Sequence, residues 1–103
     1  LIFTVTLEGY LVAIDSRNGN IVRMTNVLNI IKNYKKKNIN PVGFIVSNNK
    51  IYLSLNNGRL IVIDISSGKP IDIIKIDSEK ISRPYVINND MFIVRDNAII
   101  KLN

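Results

Sequence analysis

Apolar residues along this chain fall in short runs separated by turns rich in Asn, Asp, Gly and Ser. The clearest stretch is central. Ile51–Leu55 is strand-like, and Asn56-Asn57-Gly58 follows as a turn whose Asn-Gly step favours positive φ and a tight hairpin. Arg59–Asp64 is a nearly continuous apolar run, the pattern of a strand covered on both faces. Ser66-Ser67-Gly68-Lys69 makes a second turn, with Gly68 at its positive-φ position. Pro70–Ile76 alternates imperfectly, and its proline suits a strand start or an edge. A further short strand precedes each hairpin, at Gly43–Val46 and again at Tyr85–Ile87, with Asn48-Asn49 and Asn88-Asn89 as the turns. The unit is therefore four strands long.

That unit recurs. Residues 2–19 match residues 51–68 without a gap at an offset of 49, with Gly9 on Gly58, Asp15 on Asp64 and Gly19 on Gly68. A shorter copy follows at an offset of 40, where Val46–Leu53 aligns with Val86–Ile93. A period of 40 to 50 residues marks propeller blades or helical arrays, and strand-like units exclude the latter. The fold class expected is all-β, a fragment of a β-propeller made of four-stranded antiparallel blades. Residues 1–24 hold the last strands of one blade, 25–41 an insert, 42–77 a complete blade and 84–103 a final incomplete one.

The insert breaks the strand pattern. Val27, Ile30, Ile31 and Tyr34 stand at i, i+3, i+4 and i+7, a helical stripe. Thr25 or Asn26 could cap its start, and Lys35, Lys36 and Lys37 suit a negative C-terminal end. The spacing predicts a short helix near 26–37, with an irregular loop as the alternative.

Composition narrows the chemistry. At 103 residues the chain is one small domain or a piece of a larger one, and 47% hydrophobic residues exclude a disordered tail. With no Cys, disulfides and thiolate metal sites are excluded. With no His, the usual general base and commonest metal ligand are missing, which argues against a Ser-His-Asp triad, a zinc hydrolase or a His-ligated haem. The net charge of +6 admits nucleic acid or anionic lipid as partners, but the basic residues are scattered except for the cluster from Lys32 to Lys37. No apolar stretch reaches the length of a membrane-spanning helix. The chain begins at Leu1 in the middle of a strand pattern, so residues are expected upstream; no signal peptide is visible, and one could lie in a longer precursor.

The segments Gly9–Asn20 and Gly58–Lys69 resemble the repeats of pyrroloquinoline-quinone (PQQ)-like propellers: a Gly turn, an apolar run ending in Ile-Asp, and a Gly-containing turn into the outer strand. The resemblance covers nearly the whole chain outside the insert. Within that class the ending, Asn89–Leu102, is most similar to the C-terminal part of the BamB-type periplasmic lipoproteins that serve β-barrel assembly at the bacterial outer membrane. Such a resemblance implies an eight-bladed ring in the complete protein, a location in the periplasm on the outer membrane, and a lipid anchor outside this chain. The protein partner it implies is the barrel-assembly pore protein. One departure stands out. Family repeats carry a Trp after the outer-strand Gly that docks onto the next blade; here Ile21-Val22-Arg23 and Ile71-Asp72-Ile73 occupy that region.

Three functions fit these residues. A non-catalytic scaffold for protein–protein interaction is favoured, with no cofactor, no metal and no catalytic residue assigned, and with the partner-binding residues left open. A fragment of a PQQ-dependent dehydrogenase is the first alternative. Such enzymes hold the quinone with a bound Ca²⁺, acidic ligands and a stacked Trp. Asp15 and Asp64, however, recur once per repeat, which suits a turn role in which the side chain accepts backbone N–H bonds. Gly9, Gly19, Gly58 and Gly68 likewise follow the repeat, and are read as turn residues. The second alternative is binding of nucleic acid or an anionic surface through Lys32, Tyr34 and Lys35–Lys37, against which the lysines are read as a solvated helix end.

Overall fold

In the computed structural model, residues 1–102 are described; Asn103, the last residue of the expected final blade, lies outside the described residues. Among the described residues ten strands form three antiparallel sheets. The first contains β1 (Ile2–Val5), β2 (Tyr10–Ile14) and β3 (Ile21–Asn26). The second contains β4 (Pro41–Ser47), β5 (Lys50–Leu55), β6 (Arg59–Asp64) and β7 (Pro70–Lys75), paired in chain order. The third contains β8 (Tyr85–Ile87), β9 (Asp90–Arg95) and β10 (Ala98–Lys101).

Turn chemistry sets the register. Three hairpins close on two residues, Asn48-Asn49, Asn88-Asn89 and Asp96-Asn97, each pair with φ between 41° and 68°. Positive φ at both central positions gives a turn whose twist matches that of the strands it joins, and Asn and Asp tolerate it at modest cost. The pairs Ser47↔Lys50, Ile87↔Asp90 and Arg95↔Ala98 follow directly.

The repeat extends into backbone detail. Register shifts fall between Ala13 and Ile14 and between Val62 and Ile63, the same places 49 residues apart. Gly9 O accepts the N–H of Val27, and Gly58 O that of Ile76, each at 2.9 Å. Asp15 N–H donates to Asn20 O at 2.9 Å, and Asp64 N–H to Lys69 O at 3.0 Å.

Packing between sheets follows the strand period of two. Ile51, Leu53, Leu55, Ile61 and Ile63 point to the first sheet and join Leu11, with Phe3 and Val5 packed against them. Leu60 points the other way and meets Ile81 and Ile93, with Tyr52 and Leu102 alongside. β6 is thus covered on both faces, which is why its sequence is apolar throughout rather than alternating. In repeat terms, Phe3 and Leu11 correspond to Tyr52 and Leu60. Each sheet therefore presents the same face to the sheet that follows it, the head-to-tail stacking of propeller blades.

The expected helix near 26–37 is not formed. β3 runs on to Asn26, and residues 27–38 are bends and turns. Asn26 Oδ1 does accept the N–H groups of Leu28 and Asn29, as a helix cap would. Asn33 and Asn38, however, sit at φ 59° and 52°, where a right-handed helix cannot continue. The hydrogen bonds that follow have mixed spacing: Ile31 N–H to Leu28 O, Lys37 to Asn33, Ile39 to Tyr34. The apolar stripe is nonetheless used. Val27, Leu28 and Ile39 are buried in the core between the first two sheets, with Ile31 and Tyr34 packed on it, while Ile30 is exposed.

Candidate functional site

Of the eight acidic side chains, Asp15, Asp64, Asp72 and Asp77 accept a backbone N–H from a residue close by in the chain. Asp15 Oδ1 accepts the N–H of Arg17 at 2.8 Å, and its carboxylate also takes the Arg17 guanidinium at 3.2 and 3.0 Å. Those hydrogen bonds, the guanidinium's first and the backbone's second, hold the Asp15 carboxyl below the usual carboxylate value. Asp64 Oδ2 accepts the N–H of Ser67 at 2.9 Å in the equivalent turn. Asp72 Oδ1 accepts the N–H of Ile73. Among the described residues, no three His, Cys, Asp or Glu side chains converge where they could hold a metal ion.

Gly9, Gly19, Gly58 and Gly68 all lie in the turns, at φ between 73° and 95°, but their surroundings differ. A Cβ on Gly9 would run into Leu28, and one on Gly68 would meet the Arg23 guanidinium at 2.7 Å. Gly58 is pressed against the backbone of the connector after β7, and Gly19 faces open space.

Arg23, for which the sequence suggests no role of its own, makes a contact from the first sheet to the second. Its guanidinium lies over Gly68 and donates to Ile65 O at 2.7 Å and Ser66 O at 2.9 Å. The signal that could have found it is the pairing of an outer-strand Arg with a turn Gly one blade on. Arg23→Ala is expected to lower stability by about 1–3 kcal/mol through the loss of charge-assisted bonds. Arg23→Lys should recover less than half of that, since a single ammonium cannot fork across two carbonyls. Urea unfolding midpoints of the three proteins check both statements.

The second and third sheets are joined by Asp77. Its Oδ1 accepts the N–H of Ser78 at 2.7 Å and its Oδ2 meets Arg95 at 3.2 Å. The Ser78 backbone bond, then Arg95, lower the carboxyl below its ordinary value of 3.8. A carboxyl whose folded-state pKa is depressed contributes stability that is present above its unfolded pKa and lost as pH falls through the folded value. Stability should therefore decline below about pH 4. Asp77→Asn should flatten part of that decline in an acid-unfolding series.

Two clefts open on the edge that carries the β1–β2 turn and the β3–β4 insert. One, of about 480 Å³, is lined by Leu7, Glu8, Tyr10, Tyr34, Lys35 and Asn38. The other, of about 390 Å³, lies between the insert and the second sheet, with Ile30, Lys37, Arg59 and Ile73 in its wall. The first cleft carries one carboxylate, Glu8, beside Tyr10, Tyr34 and Lys35, and the second carries none, so neither pairs two carboxylates. The chain has no Trp, and Asp15 and Asp64 each accept a backbone N–H within their own turns.

No protein-family model matches the chain, and no curated protein matches it by sequence. Among solved structures it is similar to a quinohaemoprotein alcohol dehydrogenase from Pseudomonas putida HK5, with a TM-score of 0.64 at 21% identity, covering 88% of this chain and 14% of that one. The chain thus spans a small part of that structure's length. The likeness establishes the fold, that of a β-propeller segment, and does not reach the narrower resemblance to the barrel-assembly lipoproteins.

Proposed function

We propose that this propeller segment is a non-catalytic scaffold for protein–protein interaction, acting in β-barrel assembly at the bacterial outer membrane with the barrel-assembly pore protein as its partner. The observation that carries the non-catalytic reading is the fate of the repeated aspartates. Asp15 and Asp64 each accept a backbone N–H within their own turn, so the acids that recur with the repeat serve the hairpins. No two carboxylates share either cleft, and the sequence has no His or Cys. The dehydrogenase neighbour supports a shared fold, and function on a propeller is decided by the site rather than the ring.

The sheet edges supply a mode of binding. β3, β8 and β10 stand at the edges of their sheets. An extended partner segment can add to such an edge, with backbone hydrogen bonds giving affinity and alternate side-chain positions giving selectivity. The test has two arms. Titration of PQQ with Ca²⁺, followed by the quinone's absorption, should show no saturable binding; one-to-one saturation in the micromolar range would overturn the non-catalytic reading. Binding to the purified periplasmic domains of the pore protein should be measurable at about micromolar Kd. No binding at a hundred times that concentration would remove the barrel-assembly assignment and leave the scaffold reading to other partners.

A further inference from the structure

We propose that the β3–β4 insert, with the β1–β2 turn beside it, is a docking surface for an anionic lipid bilayer. The charge distribution is the first observation. From Ser16 to Ile63 the sequence contains eight basic residues and no acidic one, a run that accounts for more than the whole net charge of +6. Four of the eight, Lys32, Lys35, Lys36 and Lys37, stand exposed within the insert. Among the described residues none of the four makes an ion pair, and Lys35 alone has a partner for its ammonium group, the Tyr34 ring at 6.0 Å.

The backbone removes the structural explanation for these lysines. At the end of a helix they would offset the partial negative charge of free carbonyls. The insert is a chain of turns, so no such charge accumulates, and four like charges within six residues repel one another instead. The loop is held in place despite that repulsion. Val27 N–H is bound to Gly9 O at its start, and at its end Asn56 Nδ2 donates to Asn38 O while Asn40 N–H donates to Asn56 Oδ1. Buried Val27, Leu28 and Ile39 anchor it from below. The lysines are thereby displayed on a fixed platform.

What stands beside them selects the partner. Leu7, 75% exposed, shares a cleft wall with Lys35, and Ile30, 45% exposed, shares another with Lys37. Apolar tips flanked by lysines are the pattern of a surface that inserts its tips among acyl chains and leaves its cations at the phosphate level. Single-stranded nucleic acid would call for exposed stacking rings and Arg forks. The insert has no Arg, and its one aromatic, Tyr34, is half-buried with its hydroxyl accepting from Asn26 Nδ2. Beside it stand one part-buried Arg, Arg59, and one ring, Tyr10, 38% exposed and so less exposed than the apolar tips Leu7 and Ile30. Glu8, next to Leu7, is the acid on this part of the edge; Asp77 and Glu79 follow only in the connector to the third sheet.

The experiment is co-sedimentation of the full chain with phosphatidylcholine vesicles, pure or containing about 30% phosphatidylserine, at low and high salt. Binding is expected on the anionic vesicles only, falling steeply with salt. Replacing Lys32, Lys35, Lys36 and Lys37 with Gln should lower the partition coefficient by about a hundredfold or more, at roughly fivefold per lysine near an anionic surface. Replacing Lys50, Lys69, Lys75 and Lys80 removes the same net charge elsewhere and should cost less than about tenfold. The pair Leu7→Ser and Ile30→Ser should remove the binding that survives high salt. Circular dichroism establishes that each variant is folded. Equal losses in the two lysine sets would overturn the proposal in favour of bulk charge. Equal binding to both vesicle types, or no binding to either, would overturn it outright. Insert-dependent binding to an oligonucleotide without binding to vesicles would assign the surface to nucleic acid instead.

Discussion

Gly58→Val is expected to cost about 3–5 kcal/mol, a large share of the roughly 5–15 kcal/mol that holds a domain folded. Two effects add. Gly58 lies at φ +79°, where a β-branched residue is a genuine outlier. Its position is also buried, and a Cβ there would run into the Asp77 carbonyl and approach Glu79 O at 2.6 Å. Backbone atoms cannot swing aside as a side-chain end can. The contact exists because Gly58 O accepts the N–H groups of both Ile76 and Asp77, drawing the connector after β7 across the turn. Gly19 isolates the conformational part. It sits at φ +74° with nothing within 4 Å of where a Cβ would stand, so Gly19→Ala should cost only about 1 kcal/mol. Gly58→Ala should cost at least twice as much. Urea midpoints for the three variants measure this; equal losses for Gly19→Ala and Gly58→Ala would mean that Gly58 serves its hairpin alone. Unchanged stability with loss of a bound ligand would remove the structural role altogether.

The comparison of these two glycines also shows what was legible in the sequence. The repeat placed Gly9, Gly19, Gly58 and Gly68 in turns, and all four have positive φ. It could not say that one is packed against a distant connector and another faces solvent, because that depends on residues nearly 20 positions away in the chain. The strands were legible for a related reason: β6 reads as a continuous apolar run because it is covered on both faces, and the hairpins carry Asn pairs that accept positive φ. For the insert the sequence offers a helix or an irregular loop, and the loop is what forms. Its apolar spacing reports correctly that Val27, Ile31 and Tyr34 face the core, but a stripe records burial and leaves the backbone open. Asn33 and Asn38, unremarkable in a helical wheel, took left-handed conformations and decided the matter. Arg23 was hidden because its partners are backbone carbonyls of the next blade, and carbonyls leave no trace in residue identity.

Blade stacking makes the second strong prediction, and the repeat supplies its controls. Ile51 on β5 is fully buried against the first sheet, while its equivalent 49 residues earlier, Ile2 on β1, is 54% exposed because no sheet precedes it among the described residues. On the opposite face, Leu60 is covered by Ile81 and Ile93. Strand pairing gives it an equivalent in Ile99, since Leu60 pairs with Ser54 and Ile99 with Val94, residues 40 apart. Ile99 is 73% exposed. Ile51→Ala and Leu60→Ala should each cost about 2–5 kcal/mol, the loss of a buried aliphatic plus the cavity it leaves. Ile2→Ala and Ile99→Ala should fall within about 0.5 kcal/mol of the parent. The sequence environments of each pair are alike, so any difference must come from the neighbouring blade. Similar losses at all four positions would show that hydrophobicity within each sheet, and not the sheet beside it, holds the structure together. A loss at Ile51 with none at Leu60 would confine stacking to the first two sheets and leave the third attached through Asp77 and Arg95.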